Sequence, residues 1–140
     1  MNAKQESEKL MNAVLPLAEK MLRQYGEFYP YGGYMRQDGT IVDVGADDPD
    51  TDRPKSRDLI YILRSSFREM VSTNQCKAVA IVLDVAVNLP KSNRKSDAIQ
   101  VCLDHSDGYS AEVFFPYQIV NNEIVYEETF AQEGKHEVFE

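Results

Sequence analysis

The sequence has few of the residues that bind metals or form the disulfide bonds of small secreted domains. It contains two cysteines and two histidines, and no CxxC, HxxxH or HExxH pair occurs. Because structural zinc sites draw their ligands from such closely spaced pairs, the sequence predicts no metal site, and it indicates no cofactor. Two cysteines do not make a disulfide framework either, so we expect Cys76 and Cys102 to be free thiols within strands.

Long apolar runs are also missing. The longest, Ala78–Leu83, is far too short to cross a bilayer. The first residues, MNAKQESEKLMNAVLP, are polar and charged and contain no apolar core of a secretory signal. We therefore expect a cytoplasmic protein with no membrane partner.

Positive charge is scarce, since 15 Lys and Arg residues face 23 Asp and Glu residues and leave a net charge of −8. This excess repels the phosphates of nucleic acids and disfavours a general nucleic-acid binder. It allows attraction to a basic protein surface, although net charge bears mainly on solubility. The 140 residues are 43% hydrophobic, which is enough for one domain with one core.

Apolar periodicity predicts two helices. From Ser7 to Tyr25, apolar residues recur at three- and four-residue spacings. Pro16 lies inside this stretch, so either the helix begins near Asn12 or it bends at the proline. Arg57–Val71 has a wide apolar face and predicts the second helix. The N-cap of that helix is predicted to be one of two residues, Asp52 or Ser56.

Strands account for most of the remaining sequence. Asp38-Gly39, Asp107-Gly108 and Asn121-Asn122 separate β-prone segments and predict hairpins. Lys77–Val87 is apolar almost throughout, which is typical of a central strand covered on both faces.

The resulting element order is α-β-β-α-β-β-β-β. Short turns make neighbouring strands antiparallel, and both helices need the sheet to bury their apolar faces. We therefore expect an α+β fold, a two-layer sandwich with an antiparallel sheet of about five to six strands and two helices mainly on one face. A single domain would span residues 1–130, followed by an acidic, weakly ordered tail at residues 131–140.

Catalytic and calcium-binding patterns are incomplete. Asp104-His105-Ser106-Asp107 contains the residue types of a catalytic triad, but four consecutive residues running into a turn do not converge on one point. In the acidic loop, Asp48, Asp50 and Asp52 alternate like EF-hand ligands. However, Arg53 occupies the glycine position and Leu59 the position of the bidentate glutamate. The sequence thus predicts no catalytic residue and no calcium site.

Two features remain as candidates for binding. One is an aromatic cluster, which could be core or recognition surface: Tyr25, Phe28, Tyr29, Tyr31 and Tyr34. The other is a set of polar residues placed opposite the larger apolar residues of the later strands, which would give the sheet an open acidic face: Asp84, Gln100, Asp104, Glu112 and Glu127. The predicted partner-binding residues are Asp84, Asp104, Glu112, Glu127, Tyr29 and Tyr31.

Two stretches together resemble a known pattern: FYPYG followed by DGTIVDV, and then SDAIQVCLDHSDGYSAEVFFPY. The pattern, EFYPFG…DG…DAIxVxLEHxDG…FxPY, is that of a widespread family of small uncharacterised bacterial cytosolic proteins. The resemblance runs from Glu27 to Ala131, with Tyr31 in place of Phe and Asp104 in place of Glu. It implies a compact α+β domain and no assigned activity, cofactor or catalytic residue.

Two functions are compatible with these features. The favoured hypothesis is a non-catalytic protein-interaction module, of the immunity type or a regulatory binder, whose acidic face binds a basic protein partner. The alternative is a small ligand-binding domain or enzyme that uses the tyrosine cluster with His105 and Asp84.

Overall fold

The computed structural model describes residues 1–48 and 50–139 and contains two helices and one seven-stranded antiparallel sheet. The elements in chain order are α1 (Ala3–Tyr25), β1 (Tyr31–Arg36), β2 (Ile41–Val44), α2 (Ser56–Ser72), β3 (Cys76–Asn88), β4 (Lys95–His105), β5 (Ser110–Val120), β6 (Glu123–Tyr126) and β7 (Phe130–Glu133). The α+β class and the predicted element order are confirmed, with β7 as an additional strand beyond the expected five to six.

Helix α1 begins four residues before the predicted Ser7 because Asn2 caps it. The Asn2 side chain accepts a hydrogen bond from the Gln5 N–H at 2.8 Å, and the Gln5 side chain accepts one from the Asn2 N–H at 3.0 Å. This reciprocal capping box satisfies two backbone donors that would otherwise lack partners. The helix runs through Pro16 and ends at Gly26, whose φ of 76° is easily adopted by glycine. A start near Asn12 is therefore wrong.

Helix α2 begins at Ser56, and its N-cap residue is Lys55, which makes no side-chain capping hydrogen bond. Both predicted caps are therefore wrong: Ser56 is already the first helical residue, and Asp52 lies further upstream. The apolar face that the sequence predicted is correct, since Leu59 and Phe67 are fully buried.

The sheet has the strand order β2-β1-β3-β4-β5-β6, and β7 pairs with the same edge of β5 as β6 does. All three predicted hairpins are present: β1–β2, β4–β5 and β5–β6. In the last of them Asn121 and Asn122 both have positive φ, as a two-residue turn between twisted strands requires.

The two helices pack on opposite faces of the sheet, which corrects the expectation that both lie mainly on one face. Ala80 and Val82 of β3 belong to the core under α1, whereas Val79 and Ile81 belong to the core under α2. Because successive side chains of a strand point to opposite faces, these alternating residues form two separate cores. Strand β3 is apolar on both faces, so each face needs a helix to cover it.

Two glycines of β1 allow this close packing on both sides. A Cβ atom on Gly33 would lie 2.6 Å from Cγ1 of Val14 in α1. A Cβ atom on Gly32 would lie 2.5 Å from the carbonyl oxygen of Ala80, and close to the ring of Phe67 in α2. Any larger residue at these positions would force the chain apart.

The chain after β7, here called the C-terminal segment (residues 134–139), lies against the face of the sheet that carries α2. Val138 is only 6% exposed and packs with Leu63 and Phe67 of α2. Asp104 accepts hydrogen bonds from the N–H groups of Val138 and Phe139, both at 2.9 Å. The described part of the predicted tail, residues 131–139, is therefore packed onto the domain; Glu140 lies outside the described residues.

Candidate functional site

A cleft of about 550 Å³ opens beside the end of α1, and we call it the tyrosine–carboxylate cleft. Its lining comes from the last turn of α1, the segment before β1, the first residue of α2 and the middle of β3. The lining residues are Met21, Tyr25, Glu27, Phe28, Tyr29, Ser56 and Asp84. Aromatic rings and two carboxylates therefore face the same space, as expected for a site that holds an apolar and charged ligand.

Asp84 is the central polar group of this cleft. Its Oδ1 accepts a hydrogen bond from the Tyr117 hydroxyl at 2.7 Å, so the carboxylate is held in one orientation. Burial raises the pKa of Asp84, and the hydrogen bonds from Tyr117 and from the Phe28 backbone N–H only partly offset this. The neighbouring carboxylates of Asp97 and Glu27 raise the pKa further.

No cation neutralises Asp84 within the described part of the chain, where none of the ion pairs involves it. Two cations of the loop that follows β3 pair with other carboxylates: Lys91 lies 2.9 Å from Glu128, and Arg94 bonds Glu127. The cleft therefore carries unbalanced negative charge.

The predicted aromatic cluster divides between surface and core. Tyr25 and Tyr29 are 69% and 56% exposed and form walls of the cleft. Phe28 and Tyr31 are buried, with their rings 5.8 Å apart in an edge-to-face arrangement. Tyr34 packs on Phe67 on the other side of the sheet. The cluster is thus core at Phe28, Tyr31 and Tyr34 and surface at Tyr25 and Tyr29.

Tyr31 has a structural position, although the sequence analysis included it among the surface binding residues. Its hydroxyl accepts a hydrogen bond from the Ala18 N–H at 3.0 Å and donates one to the Val14 carbonyl. The phenol is thus inserted between two groups one turn apart in α1, next to Pro16. Burial raises the pKa of Tyr31, and at 4% exposure its side chain is not available to a partner.

Asp104 and Glu112 do not form the predicted open acidic face. They are 6% and 7% exposed, and they lie on the opposite side of the sheet from Asp84. Asp104 holds the C-terminal segment, and Glu112 accepts a hydrogen bond from Gln132 of β7 at 2.7 Å. The single acidic face is wrong because β7 and the C-terminal segment cover these residues and because alternation places Asp84 on the α1 side.

Glu127, the remaining predicted acidic residue, follows β6. Its carboxylate pairs with Arg94 of the loop between β3 and β4, and its N–H donates to the Pro116 carbonyl at 2.9 Å. This residue joins two loops and is not part of the tyrosine–carboxylate cleft. Only Asp84 and Tyr29 of the predicted binding residues meet there.

His105 is also separated from the cleft. It is paired with Ala78 in the sheet, six residues along β3 from Asp84, or about 20 Å at the usual strand rise. Its Nδ1 accepts from the Asp107 N–H at 3.0 Å, so Nε2 is the nitrogen that donates to Glu6 at 3.0 Å. The alternative site made of the tyrosines, His105 and Asp84 is therefore not assembled.

Glu6 is the residue of this histidine cluster that the sequence analysis missed. Its second carboxylate oxygen pairs with Lys77 at the start of β3, and hydrogen bonding to that ammonium lowers the pKa of Glu6. The pair ties the first turn of α1 to the sheet. The sequence signal for Glu6 is its position as an acidic residue in the first turn of an amphipathic helix, where a negative charge is favourable.

Among the described residues, the two cysteines are poorly reactive and no cluster of metal ligands is present. Burial raises the pKa of Cys76 to about 11 and that of Cys102 to about 12, so both thiols stay protonated at neutral pH. Within residues 1–48 and 50–139, no three His, Cys, Asp or Glu side chains are placed to hold a metal ion. Pro49, inside the acidic loop, lies outside these ranges.

In the part of the chain that is described, no helix is long and apolar enough to cross a membrane. Comparison of the chain with protein-family models, with curated protein sequences and with solved structures gives no match in any of the three.

Proposed function

We propose that this protein is a non-catalytic protein-interaction module that binds a basic protein partner through the tyrosine–carboxylate cleft. The observation that carries the proposal is the cleft itself, in which exposed Tyr25 and Tyr29 flank a fixed Asp84 that lacks a cationic partner among the described residues. Exposed tyrosines are typical of protein-binding surfaces because the ring contributes contact area while the hydroxyl stays solvated.

The charge of the chain supports a basic partner. Long-range attraction to a net charge of −8 would raise the rate of encounter, and the local carboxylates would fix the orientation of the complex. The same charge disfavours nucleic acid as a partner. We place this binding in the cytoplasm, in a role of the regulatory or immunity type, and we propose membership of the bacterial family whose pattern the sequence resembles.

Catalysis has less support than binding. The one buried histidine, His105, is held by Glu6 and the Asp107 N–H, about 20 Å from the cleft by the strand rise. The cleft itself contains two carboxylates, aromatic rings and Ser56, but no histidine, cysteine or lysine. Nucleophilic catalysis at this position would need a base in contact with the nucleophile, and among the described residues no hydrogen bond joins Ser56 to either carboxylate, whereas a binding surface needs no such pair.

The proposal is tested by affinity capture from a bacterial lysate with two charge-matched variants. Glu27→Lys with Asp97→Lys reverses an exposed carboxylate that lines the cleft and an exposed one that acts on Asp84, and Glu8→Lys with Asp52→Lys reverses two exposed carboxylates that do not line the cleft. We expect the wild type and the second variant to retain the same basic protein and the first to lose about tenfold or more, as loss of an interface charge pair does.

Salt provides an independent check on the same capture. Raising the salt concentration from about 50 mM to about 500 mM should release the partner, because the Debye length shortens and charge pairs at an interface are screened. Equal capture by the two double variants, or a captured protein that is acidic and insensitive to salt, would contradict the proposal.

A further inference from the structure

We infer that the tyrosine–carboxylate cleft takes the guanidinium group of an arginine side chain presented by the partner. This inference rests on the proposed function and specifies the chemistry of the ligand at the same site. The charge of the cleft, its aromatic walls and the fixed position of Asp84 all favour this group.

The charge of the cleft calls for a cation. The charged groups acting most strongly on Asp84 are Asp97 and Glu27, and both are negative. The cleft also adjoins the C-terminal end of α1, where unpaired carbonyls carry about half a negative charge. Ser56 brings the N-terminus of α2, with about half a positive charge, but the two carboxylates of the lining, together with the nearby Asp97, outweigh it.

The walls of the cleft favour a flat, weakly hydrated cation. Tyr25 and Tyr29 leave more than half of their surface exposed, and Met21 and Phe28 add an apolar lining. A guanidinium group stacks on aromatic rings and gives up its hydration more readily than an ammonium group. Its three-carbon stem would also pack along the apolar lining.

Asp84 is placed to accept hydrogen bonds from such a group. The Tyr117 hydroxyl holds its carboxylate before any ligand arrives, so little conformational freedom is lost on binding. The planar fork of a guanidinium matches a carboxylate with two parallel hydrogen bonds, which a lysine ammonium does not reproduce. Arginine therefore fits this combination of ring walls and fixed carboxylate better than lysine does.

The inference is tested by titrating the full chain with acetyl-Gly-Arg-Gly-amide while the tyrosine ring signals are followed by NMR. Matched peptides carry citrulline, which has the arginine shape without the charge, or lysine. We expect saturable binding that shifts Tyr25 and Tyr29, with affinity about tenfold or more above that of the citrulline peptide. The arginine peptide should also bind about threefold or more tightly than the lysine peptide.

Variants locate the binding on the chain. Asp84→Asn and Tyr29→Leu should each weaken the arginine peptide about tenfold, because each removes one half of the recognition. Tyr61→Leu is the matched control, since Tyr61 is 70% exposed on α2 and does not line the cleft. Thermal melts establish that each variant is folded, and Glu27→Gln, an exposed substitution, serves as a second carboxylate variant.

The outcomes separate this inference from the proposed function. Absence of saturable binding, equal binding of the citrulline peptide, or equal weakening by Tyr61→Leu would overturn the arginine inference. Equal or tighter binding of the lysine peptide would overturn it as well. Capture of a basic protein by the wild type and not by the cleft double variant would still support the proposed function in each of these cases.

Discussion

Asp84 shows how one residue can lower stability and still be useful. Its carboxylate lies in the most apolar strand of the sheet, where burial disfavours the charged form, and nearby carboxylates add to this effect. Other buried acids of the chain hold parts of the fold together, as Asp104 holds the C-terminal segment. Asp84 instead faces a cleft, which is where a destabilising charge is expected if it serves binding.

Replacing Asp84 by asparagine should therefore make stability less dependent on pH. Because the folded-state pKa of Asp84 is raised, its contribution to stability is fully present below the unfolded-state pKa and is lost as pH rises through the folded-state pKa. Asparagine does not undergo this loss. Urea unfolding at about pH 4 and pH 7 should show the variant gaining free energy of unfolding relative to the wild type at the higher pH.

Asp52→Asn is the matched control for that measurement, since Asp52 is exposed in a loop. A variant whose stability relative to the wild type is the same at both pH values would show that the Asp84 carboxylate is as well solvated as in the unfolded chain. Asp84→Asn should also weaken binding of the arginine peptide. A gain in stability and a loss of affinity are therefore expected together in this variant.

Among the elements, β3 determines how the others are arranged. It pairs with β1 and β4, and its alternating side chains contribute to the core under α1 and to the core under α2. Gly32 and Gly33 of the neighbouring strand allow α2 and α1 to approach from either side. The fold is thus a sheet held between two helices, and each helix depends on its own face of the same central strand.

Phe67→Ala tests the core under α2. Phe67 is fully buried, and its ring contacts Tyr34 and the backbone at Gly32. Truncation should lower the free energy of unfolding by about 3–5 kcal/mol, because a cavity remains where the ring was. Urea melts measure the change, with Tyr61→Ala on the exposed face of α2 as the control; a loss below about 1 kcal/mol for Phe67→Ala would contradict this packing.

The sequence predicted the elements better than their arrangement. Asparagine and glycine readily adopt the positive φ angles that tight turns need. All three hairpins were therefore predictable from Asp-Gly and Asn-Asn pairs. The pattern of β3 also indicated a strand covered on both faces. An apolar pattern on both faces of β3 is consistent with helices on both sides of the sheet. The prediction of a single helical layer was based on the order of the elements, and that order does not determine which face a helix covers.

The cleft was predictable only in part. Tyr29 and Asp84 were identified, since tyrosine density and a carboxylate in an apolar strand are visible in the sequence. Their proximity depends on the segment before β1 lying beside the middle of β3, a contact between residues more than 50 positions apart. Asp104 and Glu112 were assigned to an open surface because nothing local in the sequence shows that β7 and the C-terminal segment fold back over them.

At the scale of the whole molecule, the C-terminal segment completes one of the two cores. Val138 packs on α2, and Arg64 and Arg68 of that helix bind Glu137 through its carboxylate and its carbonyl. The domain therefore extends to residue 139 in the described chain, beyond the boundary expected at residue 130. No residue of this segment lines the tyrosine–carboxylate cleft, which lies by the end of α1.

Val138→Ala should lower the stability of the whole domain and not only release the segment. The side chain is 6% exposed, so removing two methyl groups should lower the free energy of unfolding by about 1–3 kcal/mol. Lys135→Ala, an exposed change in the same segment, is the control. Thermal melts that do not distinguish Val138→Ala from the wild type would show that the segment contributes no packing energy.

The hydroxyl of Tyr31, inserted beside Pro16 between Val14 and Ala18, has a consequence for how such chains evolve. Phenylalanine at this position would offer no group to occupy the gap. A lineage that exchanges tyrosine for phenylalanine must therefore also close the helix here, so that the Ala18 N–H bonds the Val14 carbonyl directly. Inherited substitutions at position 31 should consequently be accepted only on backgrounds set by the residues of α1 around positions 14 and 18.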